Sequence, residues 1–158
     1  MEIRITTSHI LKVLLLLTWI IFIGLCVEAG AIIVNTFITL FINPDAVKNF
    51  WEGADILAIY QLNTNHFTVL AFVMIIIAVL KAIMFYLILK LLSDKKLDFT
   101  KPFNIHLKDF ILKLSYFSLG IGLFTHCGSE FCVWLTSQGA KIASLESLNL
   151  TGSDVWFF

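Results

Sequence analysis

The sequence has few charged residues, and this scarcity limits the classes of protein that it can encode. Charged residues make up 14% of the 158 residues, about half the share of an average soluble protein. Apolar residues make up 59%, and the mean hydropathy is +0.92. A soluble fold of this size cannot bury so much apolar surface, so part of the surface must face lipid. The composition therefore predicts an all-α, polytopic transmembrane helical bundle.

Other absences exclude further classes of protein. The formal net charge is zero, so no overall field favours direct binding of nucleic acid. The three cysteines, Cys26, Cys127 and Cys132, are an odd number and do not indicate a disulfide framework. The sequence contains no phosphate-binding loop, nucleophile elbow or HExxH motif. We therefore expect no enzyme, no cofactor and no metal.

Three apolar segments are long enough to cross a bilayer, at about 13–42, 66–92 and 110–134. The first follows Arg4 and Lys12, as the apolar region of a signal peptide would. Its apolar run is much longer than the roughly 7–15 residues of a signal sequence. The sequence therefore predicts that this segment is retained as a membrane-spanning helix.

Two segments flank the third span. Residues 102–113 have apolar side chains at helical spacing among polar ones, which predicts an amphipathic helix lying on the bilayer before the span begins. The stretch from 139 to 154 is polar and is expected to be a loop. Residues 155–158, Val-Trp-Phe-Phe, are typical of the interfacial start of a further span. We interpret them as the beginning of a truncated fourth helix; the alternative is an aromatic tail resting on the membrane.

The connection between the first two spans contains signals for short helices. Asn43 and Pro44 can act as N-cap and first residue of a helix that reaches about Trp51. Such a helix would place three side chains on the membrane surface as anchors, namely Val47, Phe50 and Trp51. A second surface turn is indicated by Ile56, Leu57, Ile59 and Tyr60.

Lysines are concentrated on one side of the predicted membrane. Six of the eleven basic residues surround the connection between the second and third spans: Lys90, Lys95, Lys96, Lys101, Lys108 and Lys113. The positive-inside rule then places this connection and the N-terminus in the cytoplasm, with the chain in the cytoplasmic (inner) membrane. The basic segment is either a topology signal alone or a binding surface for anionic lipid or a cytoplasmic regulatory protein.

Small residues form a stripe along the third span at spacings of three and four: Ser115, Ser118, Gly122, Thr125, Ser129, Cys132 and Thr136. This pattern is typical of a helix-packing seam with hydrogen bonds across it. The first span has a shorter stripe, made of Gly24, Glu28, Ala31 and Asn35. We expect the two stripes to meet. The alternatives are packing against a second copy in a homo-oligomer, or the lining of a polar channel.

Ionisable residues within apolar spans are costly and often functional. Glu28, His126 and Glu130 are predicted to gather as an intramembrane polar cluster, either structural or proton-responsive, with a metal site as a further alternative. Lys81 is expected to extend its amine toward the cytoplasmic headgroups. Its pairing with Glu28 is not expected, because the predicted heights differ by about 10 Å.

Several short segments resemble the bacterial membrane protein family catalogued as domain of unknown function 2975. They are GLCVEAG at 24–30, LKAIMFYL at 80–87, KPF at 101–103 and SYF at 115–117. The resemblance implies a four-helix membrane protein without catalytic residues, whose last helix this chain lacks, and it implies a regulatory partner. We therefore expect a non-enzymatic binding or regulatory membrane module; the alternative is a small transporter or oligomeric pore.

Overall fold

The computed structural model describes residues 7–50, 56–93, 105–140, 148 and 150. This part of the chain is helical and contains no strand. Three long helices and two short ones follow one another: α1 (Thr7–Phe41), a 3-10 helix (Pro44–Asn49), α2 (Leu57–Leu62), α3 (Thr64–Ser93) and α4 (Ile105–Ser137). The predicted all-α class is confirmed.

Three of the helices are long and apolar enough to cross a membrane. The candidate spans are Ile10–Phe41, Thr64–Ser93 and Leu107–Ser137. The three predicted spans fall within these helices, except that Ile42 forms a turn after α1. α4 runs without a break from Ile105, so the described part of the predicted amphipathic segment is the first part of the spanning helix itself. Residues 102–104 and 155–158 lie outside the described residues.

The helix α3 is the common packing partner of α1 and α4. Both pairs are antiparallel, and side-chain contacts indicate their registers. In the first pair, the Phe22 and Tyr86 rings lie 6.0 Å apart between centroids. In the second, Val73 lies beside Gly128 and Leu80 beside Gly120. These registers allow heights on all three helices to be compared at about 1.5 Å per residue.

The 3-10 helix and α2 form a cap over one end of the helices, and this end is called the capped end below. Asn43 accepts a hydrogen bond from the Asp45 amide, 2.9 Å long, which confirms the predicted N-cap. Inside the cap, Phe50 meets Phe67 edge to face at 5.4 Å. Tyr60 approaches the same ring at 5.5 Å.

Four apolar side chains of the cap point inward rather than toward lipid. Val47, Phe50 and Ile59 have no exposed surface, and Ile56 is 1% exposed. The prediction that Val47 and Phe50 anchor the chain to the membrane surface is therefore wrong. A short amphipathic segment can bury its apolar face in lipid or in protein, and the neighbouring Phe67 offers a protein surface that excludes water and lipid alike. Trp51 lies outside the described residues.

After α4, the chain returns to the bundle. The helix ends with Gly139 at φ 95° and a hydrogen bond from the Ala140 amide to the Leu135 carbonyl, which together form a Schellman cap. Leu148 and Leu150 are each 1% exposed. Leu150 reaches Gly128, nine residues and about 13 Å below the end of α4. The loop expected over 139–154 thus contains two leucines that are part of the core.

Candidate functional site

The small-residue stripe of α4 is buried in its middle and exposed at its ends. Gly122, Thr125 and Cys132 are buried, whereas Ser115 and Thr136 are exposed. Ser118 and Ser129 are half-buried. The most deeply buried face of α4 is centred slightly to one side of the stripe, and it also includes Ile121, Gly128 and Leu135.

The expectation that the stripes of α1 and α4 meet along their length is wrong. The extended contacts within the described residues join α1 to α3 and α3 to α4. An added Cβ atom at Gly24, in the stripe of α1, would have no neighbouring atom within 4 Å. At Gly128 of α4 it would lie 3.1 Å from Val73 Cγ1. Two small residues beside the stripe, Gly120 and Gly128, therefore admit the side chains of Leu80 and Val73 of α3.

Several hydroxyls of the spans bond to their own helix instead of to a neighbour. Ser129 donates to the His126 carbonyl at 2.8 Å, and Thr136 donates to the Cys132 carbonyl at 2.9 Å. Thr125 is 1% exposed, and its hydroxyl has no hydrogen-bond partner. These three members of the stripe thus have no hydrogen bond to another helix among the described residues, and Thr125 is the one that is buried.

Asn35, in the stripe of α1, has a clear structural role. Its side-chain amide donates a hydrogen bond to the main-chain carbonyl of Phe50. This bond joins α1 to the cap, and Phe50 is fully buried where it forms. Asn35, which was predicted to lie in a helix–helix seam, therefore binds the connection between the first two spans.

Glu28 and Lys81 lie at nearly the same height, which corrects the sequence-based separation of about 10 Å. Glu28 is six residues beyond Phe22 on α1, and Lys81 is five residues before Tyr86 on α3. Because Phe22 and Tyr86 are in contact and the helices are antiparallel, the two ionisable residues differ by about one residue in height. Both are half-buried. The error arose because α1 extends well beyond α3 at the end opposite the cap.

The predicted cluster of Glu28, His126 and Glu130 is not assembled. The two registers place Glu28 level with Gly120, so His126 lies about 9 Å and Glu130 about 15 Å nearer the capped end. Both α4 residues are exposed, on the side of α4 opposite α3. No three metal-ligating side chains come together within the described ranges. Successive 100° steps around α4 would have shown from sequence that the pair faces away from the buried face.

Exposed lysines from three helices share the end of the bundle opposite the cap, called the basic end below: Lys12, Lys90, Lys108 and Lys113. Because the helices are antiparallel in sequence order, the start of α1, the end of α3 and the start of α4 lie together there. At the capped end, Lys48 instead forms an ion pair with Asp45 at 2.8 Å. Lys95, Lys96 and Lys101 lie outside the described residues.

The fold and these surfaces define the class of the protein: it is a multi-pass α-helical membrane protein. No family model, curated protein or solved structure matches the chain. The resemblance to the bacterial family of four-helix membrane proteins therefore stays a prediction.

Proposed function

We propose that the chain is a non-enzymatic binding or regulatory module of the bacterial cytoplasmic membrane, with its N-terminus and basic end in the cytoplasm. The observation that supports this proposal is the set of exposed lysines that three helices bring to one end. Membrane proteins retain such residues on the cytoplasmic side during insertion. The only described lysine at the capped end, Lys48, is neutralised by Asp45.

The basic end is suited to bind anionic lipid headgroups. Lys90 lies in the last turn of α3 and Lys108 in the first turns of α4, and both are exposed where these helices leave the apolar layer. A lysine close to an anionic membrane surface contributes about 1 kcal/mol of attraction, and the contribution falls with added salt. Asp109 lies among these lysines and reduces the local positive charge. A cytoplasmic regulatory protein with an acidic surface is the alternative ligand.

The transporter or pore alternative has less support. It requires Glu28, His126 and Glu130 to line one path through the membrane, but Glu28 is half-buried whereas both α4 residues are exposed. The two α4 residues also face away from the helix that joins α1 to α4. A path through one copy of the chain is therefore not supported by the described residues.

The test compares the full chain in nanodiscs of neutral lipid with and without phosphatidylglycerol. We expect the anionic lipid to raise the midpoint of thermal unfolding, and we expect K90Q/K108Q/K113Q to lose a clear part of that gain. K48Q, at the capped end, is the matched control and should keep it. An unchanged gain in the triple variant would contradict lipid binding. If a photo-cross-linker at Lys90 then captured a cytoplasmic protein in cells, the alternative ligand would be favoured.

A further inference from the structure

The face of α4 opposite α3 carries a continuous row of exposed residues at spacings of four and three. The row consists of Leu112, Tyr116, Leu119, Leu123, His126, Glu130, Val133 and Ser137. Such spacing keeps side chains on one side of a helix and is the pattern of a helix–helix interface. Apart from Ser137 at the end of the helix, its polar members are His126 and Glu130, with the phenol of Tyr116 lower down. We call these eight residues the outward row.

The polar members of the outward row lie at the height of hydrocarbon. The register between α3 and α4 places Glu130 level with residues 70–71 of α3. On either side of that level, α3 exposes Val69 and Phe72, at 49% and 63%. α1 exposes Phe37 at the same height, at 57%. A layer in which two helices present bare aliphatic and aromatic side chains is one that lipid tails occupy.

His126 and Glu130 are polar residues of the outward row, and the described part of the chain does not satisfy them. Within the described ranges, neither side chain has a hydrogen-bond or ion-pair partner. A polar side chain in hydrocarbon is costly unless it is paired, and paired residues in membranes face protein. A partner that brings both an acceptor for the imidazole and a donor for the carboxyl group would satisfy the outward row.

We infer that this partner is a second copy of the chain, packed α4 against α4 about a two-fold axis normal to the membrane. All copies insert with the same orientation, so the two α4 helices are parallel. In a parallel pair, a residue at one interface position lies between positions of the partner that precede and follow it. His126 of each copy then lies beside the partner's Glu130, and the two contacts are related by symmetry.

The charge pattern of the outward row favours self-association over another occupant. In a parallel pair, His126 packs next to the partner's Glu130 at the adjacent interface position, so this acid and base are complementary to the same two residues of a second copy. Leu119, Leu123 and Val133 flank them and pack against their own counterparts. A helix from a different protein would have to carry its own acid and base at the same two heights. A lipid headgroup would have to enter the hydrocarbon layer.

The first test is disulfide cross-linking of the full chain in native membranes. The exposed cysteines are replaced in the background variant C26A/C127A, which keeps the buried Cys132. L119C or L123C in the outward row should give a disulfide-linked dimer on mild oxidation. V79C is the control, because Val79 is exposed on α3 at a height between those of Leu119 and Leu123. Yields several-fold higher in the outward row support the interface; equal yields would show random collision and overturn it.

The second test uses complementation between two variants and requires no loss of folding. In H126L or E130L alone, both polar contacts of the dimer are lost, and we expect the association constant in the bilayer to fall roughly 3- to 20-fold. A mixture of the two variants restores one of the two contacts. Energy transfer between labelled copies should therefore show that the mixed dimer of H126L with E130L is more abundant than the dimer of either variant with itself. If mixed and like pairs form in the proportions expected from random association, the His126–Glu130 contact is overturned. The same conclusion follows if wild-type copies remain monomeric while another membrane protein is captured.

Discussion

At the scale of single residues, the glycines of the spanning helices have very different surroundings. A Cβ atom added at Gly128 would lie 2.8 Å from Leu150 Cδ2 and 3.1 Å from Val73 Cγ1. At Gly120 the nearest atom is Leu80 Cδ1 at 3.7 Å, and at Gly24 no atom lies within 4 Å. Leucine can rotate its terminal methyl groups away, but the branched side chain of valine is held to one rotamer in a helix. Gly128 is therefore required where Gly24 is not.

We expect G128A to destabilise the protein by about 1–3 kcal/mol, because Val73 cannot move without disturbing its own packing. G24A should be neutral or slightly stabilising, since alanine favours a helix over glycine by about 1 kcal/mol. The free energy of unfolding, measured by denaturant titration in mixed micelles, distinguishes the two. Adding V73A should relieve most of the cost of G128A. If G128A and G24A behave alike, the close contact between α3 and α4 is not as described.

This residue-scale difference could be predicted from sequence only in part. The spacing of small residues correctly indicated that the middle of α4 is buried. Gly122, Thr125 and Cys132 are buried in the structure. It could not indicate that Gly128 is the crowded glycine. The crowding arises from Val73 on another helix and from Leu150 after α4, and a pattern within one helix contains no information about either.

At the scale of elements, the Asn35 side chain adds a hydrogen bond to the main-chain bond, from the Asn43 amide to the Ile38 carbonyl, that joins the cap to α1. Asn35 donates to the carbonyl of Phe50, while the apolar contacts of the cap, such as Phe50 with Phe67, hold it to α3. Apolar contacts tolerate small shifts, whereas a hydrogen bond fixes distance and direction. Asn35 therefore helps to fix the position of the cap on α1.

We expect N35L to destabilise the protein by about 1–3 kcal/mol, because the carbonyl of a fully buried residue loses its donor. N65L is the matched control: Asn65 is also at the capped end, but its side chain is exposed. Unfolding free energies of both variants are compared with that of the wild type under identical conditions. A loss in N65L as large as that in N35L would indicate a general effect of added apolar surface and would refute the role given to Asn35.

The short elements show where sequence patterns are sufficient and where they are not. Asn43 followed by Pro44 was enough to predict the start of the 3-10 helix, because capping depends on neighbouring residues alone. Whether the side chains of Val47 and Phe50 point toward protein or toward lipid depends on which of the two surrounds the 3-10 helix. That choice is made by the way the cap folds over α3, which no local pattern specifies.

At the scale of the whole molecule, the sequence could not predict the register of one helix against another. Three long apolar segments predicted three helices, and the structure has them. Comparing heights required an assumption about where each helix enters the membrane. The contact between Phe22 and Tyr86 shifts α1 relative to α3, which brings Glu28 level with Lys81 and takes it away from His126. A shift of α1 by a few residues relative to the predicted heights is therefore enough to separate the residues of the predicted cluster.

Orientation is the remaining property of the whole molecule, and the two ends of α3 provide a matched pair for testing it. Asn65 and Ser93 are both exposed, at the capped end and the basic end respectively. Because the exposed lysines should be retained in the cytoplasm, we expect N65C to react with a membrane-impermeant maleimide in intact bacterial spheroplasts. S93C should react only after lysis. The opposite labelling pattern would contradict the proposed orientation. It would also contradict the proposal that the basic end binds anionic lipid of the cytoplasmic leaflet.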